Sequence, residues 1–158
     1  MALAPGGFRR TYGDMFTRIV VAFQDSKESR NALLESVRMA QTQGLPLSTV
    51  TVLQRHRMYG SNLGSAAEDT VLAQLEADTV ARQEELLSGL PDELEVTSEI
   101  AIADTITSAL QQLRWDGNEL LVLSSAHGGR LKRVFLGDMT YKLVRASPVP
   151  TVVLPRRT

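Results

Sequence analysis

The sequence predicts a single α/β domain, a five-stranded parallel, doubly wound sheet with helices on both faces. Three observations lead there. Five short runs rich in aliphatic and β-branched residues alternate with segments whose apolar residues recur at helical spacing. The first run, Arg18-Ile-Val-Val-Ala-Phe23, is continuous rather than alternating, as in a strand buried on both faces. The last third passes from an apolar strand through a small polar loop into a helix, then back to an edge strand. In α/β proteins that arrangement sets loop amides and a helix N-terminus at the carboxyl end of the sheet, where anions and nucleotides bind.

After the first strand, Asp25 or Ser26 caps a helix, and Asp25-Ser-Lys-Glu28 has capping-box spacing. Leu33, Val37 and Ala40 form its inner stripe, and Gly44 is its C′ residue. Strand two is Ser48 to Leu53, and residues 54–66 read as a mobile loop. A long polar helix from about Glu68 to Leu87 is expected to turn Val71, Leu72, Leu75 and Val80 inward, with Gly89-Leu-Pro91 ending it. Strand three follows, from about Leu94 to Ala103. Asp104 is expected to cap a third helix, with Ile106, Ala109, Leu110 and Leu113 on one face. Strand four is Leu120 to Ser124, and the fourth helix runs from about Gly137 to Ala146. Pro148 and Pro150 bar its continuation, and strand five is Thr151-Val-Val-Leu154.

Composition excludes several classes. With 158 residues and a net charge of -1, the chain has a core-forming length and no bias toward polyanions, so nucleic acid is not an expected partner. It has no cysteine, which removes disulfides, thiolate metal sites and cysteine nucleophiles. No apolar run reaches membrane-spanning length, and the first residues lack a secretory h-region. Residues 1–16 read as a flexible tail before a domain at 17–158, and a cytoplasmic location is expected.

The opening Ile19-Val-Val-Ala-Phe-Gln-Asp-Ser26, with Ser29 and Ala32-Leu33 behind it, resembles the first strand and helix of the universal stress protein family. So do Leu131-Lys-Arg-Val-Phe-Leu-Gly137 and Val144-Arg-Ala-Ser-Pro-Val-Pro-Thr-Val-Val-Leu154 at the other end, in order and spacing. The resemblance spans about Thr17 to Pro155. It implies an adenine nucleotide alpha hydrolase-like fold with strand order 3-2-1-4-5, and homodimerisation through Thr151, Val152, Val153 and Leu154.

Members that bind ATP resemble Gly-x2-Gly-x9-Gly-Ser/Thr after strand four. Without gaps, Ser124 falls at the first glycine, His127 at the second, Gly137 at the third and Asp138 at the Ser/Thr. Sliding the register to Gly128 leaves one residue too few before Gly137. Glycine there lets backbone amides reach phosphate oxygens without a Cβ. Asp138 adds a carboxylate at a helix N-terminus, where it competes with phosphate for the same amides while stabilising the helix by ~0.5–1 kcal/mol. The Asp that the family usually shows at the end of strand one is matched by Gln24, and a usual glycine by Ala103.

The resemblance therefore implies an adenine-nucleotide cleft with a damaged phosphate end. Its candidate contacts are Ala22, Phe23, Gln24, Asp25, Leu53, Ser124, Ser125, Gly128, Gly137 and Asp138. The expected function is a non-catalytic, homodimeric stress-response or signalling module that binds ATP weakly or not at all, with an unidentified protein partner. The alternative is a nucleotide switch or slow ATPase using ATP or AMP with Mg²⁺, in which Asp138 is a metal ligand.

Other constellations are thinner. His127 could act as a base for Ser124 or Ser125, but no matching acid and no Gly-x-Ser-x-Gly elbow accompany it. His56, His127 and Asp25 have no spacing that defines a metal site. Arg130, Lys132 and Arg133 fit a solvated surface as well as an anion loop. Trp115 reads as a packing residue.

Overall fold

A computed structural model describes residues 15–24, 26–55, 65–125 and 138–155. Its elements run β1 (Arg18–Ala22), α1 (Lys27–Gln43), β2 (Leu47–Gln54), α2 (Ser65–Ser88), β3 (Val96–Ala103), α3 (Ile106–Gln112), β4 (Glu119–Ser124), α4 (Asp138–Ala146) and β5 (Thr151–Leu154). All strand pairs are parallel, and their order is β3-β2-β1-β4-β5. β1 is central because Ile19, Val20 and Val21 offer apolar side chains to both faces, and all three are buried.

One face is covered by α1. Its Leu33, Val37 and Ala40 pack on Ile19, Val21, Leu47, Leu120 and Val122 of the sheet. Burying a leucine such as Leu33 contributes about 1.5–3 kcal/mol. The helix starts at a cap formed by Ser26, whose Oγ accepts from the Ser29 amide at 3.1 Å. That cap sits one residue beyond the first position of the expected capping box, so Ser29 and not Glu28 supplies the third amide. Gly44 closes the helix in the left-handed conformation at φ 65°, its amide directed to carbonyls of the last turn. Phe16, assigned to the tail from sequence, is only 9% exposed and packs into this same cluster. The packed body of the domain therefore includes residue 16.

On the other face, α3 and α4 enclose a second cluster. Ile106, Ala109, Leu110, Leu113 and Leu143 meet Val20, Val50, Val52, Leu121 and Leu123 there. Thr105, not Asp104, caps α3, accepting from the Ser108 amide at 3.0 Å. Trp115 packs against this cluster, and its indole donates to the Leu110 carbonyl at 2.7 Å.

α2 departs from expectation. Val71 and Val80 are 44% and 40% exposed, and Leu72 and Leu75 are only half-buried. At 100° per residue Val71 and Val80 lie on opposite sides of the helix, so one face cannot bury both. Its Leu86 packs against the α1 cluster, and a polar anchor joins it to the sheet. Gln83 is 3% exposed and donates to Thr51 Oγ1 at 2.9 Å, and Thr51 donates on to the Phe23 carbonyl at 3.1 Å. Residues 56–64 of the expected loop lie outside the described residues.

At the amino edge of the sheet a charged cluster holds β1, β3 and β4 together. Arg18 donates to the Arg114 carbonyl at 2.6 Å and contacts Glu119 at 3.2 Å and Glu99 at 3.4 Å. Glu119 also accepts from the amides of Asp116 at 2.8 Å and Gly117 at 3.0 Å. β4 thus begins one residue before the expected Leu120, on a buried and hydrogen-bonded carboxylate.

Candidate functional site

The carboxyl ends of β1, β2 and β4 face the first turn of α1 and the start of α4. A cleft of about 240 Å³ opens there. Ala22, Phe23, Gln24 and Ser124, all picked out in the sequence, line it. Leu53 and Ser125 do not. Strand alternation sends Leu53 to the face opposite Val50 and Val52, which do line the cleft. The Ser125 amide is committed to the Leu154 carbonyl at 3.0 Å, drawing it toward β5. Asp25, Gly128 and Gly137 lie outside the described residues, as do His56, His127, Arg130, Lys132 and Arg133. Asp138 is the first residue of α4, one position after the expected start.

Sequence reasoning missed part of the lining. Ser26, Glu28 and Ser29 come from the first turn of α1, and Met139, Thr140 and Leu143 from α4. Ser26 carried a signal only as a capping residue, Ser29 only as part of the family resemblance, and Thr140 none beyond its place near the start of a helix. The walls are mostly apolar, from Val50, Val52, Leu123, Met139 and Leu143.

Hydroxyls make up much of the rest of the lining. Ser29 Oγ accepts from the Gln24 amide at 3.2 Å and lies 3.5 Å from Ser124 Oγ. Thr140 Oγ1 donates to the Ser124 carbonyl at 3.0 Å, fastening α4 to the end of β4. Through Ser29 and Thr140, both helices are thus tied to the two strand ends that frame the cleft.

Glu28 is the one ionisable side chain among the described lining residues. Among the described residues no group of three or more His, Cys, Asp or Glu side chains is placed to hold a metal ion. No helix among them is long and apolar enough to cross a membrane.

Residues 15–155 match the family model of the universal stress protein family. Universal stress proteins of Mycobacterium tuberculosis and Mycobacterium bovis are 31% identical over 157 residues, covering 98% of this chain and 53% of theirs. The chain thus spans about half the length of the curated relatives it matches. Among solved structures, the universal stress protein UspA from Lactobacillus plantarum superposes with a TM-score of 0.62 at 23% identity, over 88% of this chain and 97% of that one. A universal stress protein from Archaeoglobus fulgidus in complex with dAMP superposes at 0.54 and 14% identity, over 88% and 98%. At these identities the two structures speak to the fold, and they share it.

Proposed function

This chain belongs to the universal stress protein family, and we propose that it is a non-catalytic stress-response or signalling module whose cleft takes the adenosine part of an adenine nucleotide. The observation that carries the reading is the character of the cleft. Its described lining combines the apolar side chains of Ala22, Phe23, Val50, Val52, Leu123 and Leu143 with hydroxyls of Ser29, Ser124 and Thr140. A purine nucleoside gains from such a lining. The residue that begins α4, Asp138, is acidic, and a carboxylate at a helix N-terminus competes with phosphate for the same amides. The related protein from Archaeoglobus fulgidus, complexed with the monophosphate dAMP, is in keeping with this preference.

The test is calorimetric titration with adenosine, AMP and ATP, with and without Mg²⁺. Expected is binding of adenosine and AMP, with ATP weaker and indifferent to the metal. Tight ATP binding that requires Mg²⁺ overturns the reading in favour of a nucleotide switch or slow ATPase. Asp138→Ser should then weaken ATP if the residue is a metal ligand, and strengthen it if the residue only excludes phosphate.

The module is proposed to act as a homodimer through β5. Among the described residues that strand is an edge strand paired with β4 alone, and Val152 on it is 37% exposed. An apolar edge invites pairing with its own copy across a two-fold axis. Val152→Lys should shift sedimentation equilibrium from dimer to monomer, and a wild-type chain that sediments as a monomer removes this part of the proposal.

A further inference from the structure

We infer that Ser29 is a positioning residue that fixes the Ser124 hydroxyl as a hydrogen-bond donor to an acceptor oxygen of the cleft's ligand. The inference rests on the adenine-nucleotide reading above and adds to it a residue and a direction of bonding. Ser29 is 2% exposed, so its hydroxyl has to be satisfied by the protein. A serine hydroxyl carries one proton and two lone pairs. One lone pair of Ser29 Oγ is taken by the Gln24 amide at 3.2 Å. Its proton then needs an acceptor, and among the hydrogen bonds of the described residues Ser124 Oγ, at 3.5 Å, is the one that fits.

The consequence lies at Ser124. Once its oxygen accepts from Ser29, its own proton is free to point away, and the residue is a half-buried part of the cleft wall. The Ser124 carbonyl is held by Thr140 at 3.0 Å, which steadies the backbone under that hydroxyl. The chain of donors runs Gln24 amide, Ser29, Ser124, ligand. Ser124 stands where ATP-binding members resemble glycine, so here a side-chain donor takes over a task that glycine leaves to backbone amides. The acceptor it serves is a ribose or a phosphate oxygen.

Calorimetric titration of the full chain with AMP and with adenosine tests this. Ser124→Ala and Ser124→Gly should each weaken AMP about fivefold, the loss of one ordinary hydrogen bond. Ser29→Ala should cost about the same, the Ser29→Ala/Ser124→Ala double variant no more than either single one, and Ser29→Thr should recover the loss. A purely structural Ser29 would give additive losses, and that result overturns the inference. An unchanged affinity in Ser29→Ala does so too, because it means that Ser124 donates to Ser29. Ser124→Gly and Ser124→Ala, at the part-exposed wall, decide the matter even if Ser29→Ala fails to fold. Tighter AMP binding by Ser124→Gly would show that backbone approach and not the hydroxyl limits affinity. A loss seen equally with adenosine assigns the acceptor to ribose, and a loss confined to AMP assigns it to phosphate. If the wild-type chain binds neither probe, the adenine-nucleotide reading falls and this inference with it. If it binds but the serine variants are silent, this inference alone falls.

Discussion

Nη2 of Arg18 stands 3.2 Å from Oε1 of Glu119, a side chain only 1% exposed, and the pair sits at the edge of the sheet opposite the cleft. Glu119 starts β4 and Arg18 starts β1, in register with each other. The carboxylate is therefore removed from water and repaid by a guanidinium and two backbone amides. Arg18→Met should cost about 3 kcal/mol, the low end for a broken buried pair because the arginine itself is 24% exposed. Urea unfolding should show a lowered midpoint with an unchanged slope. Arg18→Met with Glu119→Leu should recover most of the loss, since no buried charge is then left alone. A single variant as stable as wild type would show that the pair is incidental.

Acid sensitivity should trace in part to Asp116. Its carboxylate accepts from the Asn118 amide at 2.7 Å and from the Thr17 hydroxyl at 2.8 Å, which holds its pKa below the ordinary 3.8. Because the folded value is the lower one, this residue's stabilisation is fully present above the unfolded value. It is lost as the pH falls below 3.8 through the folded value. Asp116→Asn should lower stability slightly at neutral pH, with the difference from wild type shrinking as the pH falls below that point. Thermal unfolding at a series of pH values reads this, and parallel acid limbs in the two proteins would contradict it.

Gly44 is needed for its backbone alone. It holds φ 65°, and an added Cβ there would meet no heavy atom within 4 Å. Gly44→Ala should therefore lower stability by about 1 kcal/mol through conformational strain with no steric clash. Gly44→Asn should lose less, since Asn tolerates the left-handed region. Equal stability of all three in denaturant titration would rule out the strain.

Leu33 and Leu34 are adjacent and opposite in effect. Leu33 is buried in the core beneath α1, and Leu34 is 55% exposed. Leu33→Ala should cost about 2–5 kcal/mol as a cavity in a packed core. Leu34→Ala should change stability by no more than about 0.5 kcal/mol. Comparable losses at both positions would mean that α1 is rotated from the orientation described.

Where a residue's environment follows from its neighbours in sequence, it was legible. Continuous apolar runs, helical spacing and breaker residues located all nine elements, and β5 begins and ends at the expected residues. Caps were less certain, because Asp25 and Ser26, or Asp104 and Thr105, are adjacent residues with equal capping chemistry. Only the path of the chain chooses between them. α2 was misread because a helix with weak periodicity reveals no inner face, and the fold used Gln83 to bind it in place of Val71 and Val80. The candidate site was half legible. Strand-end residues such as Gln24 and Ser124 follow from topology. Ser29 and Thr140 act across gaps of many residues, and nothing local in the sequence marks such partners.

The central place of β1 also bears on how the chain is made. Its partner on one side, β2, follows almost at once, but Glu119, which pairs with Arg18, comes 101 residues later. At ordinary rates of synthesis β1 spends roughly 5–20 s with that flank open on the nascent chain. What it presents in that interval is Ile19, Val20 and Val21, a short aliphatic edge of the kind that recruits other chains. The residue that heads the strand, Arg18, then serves as a gatekeeper before it has any carboxylate to meet.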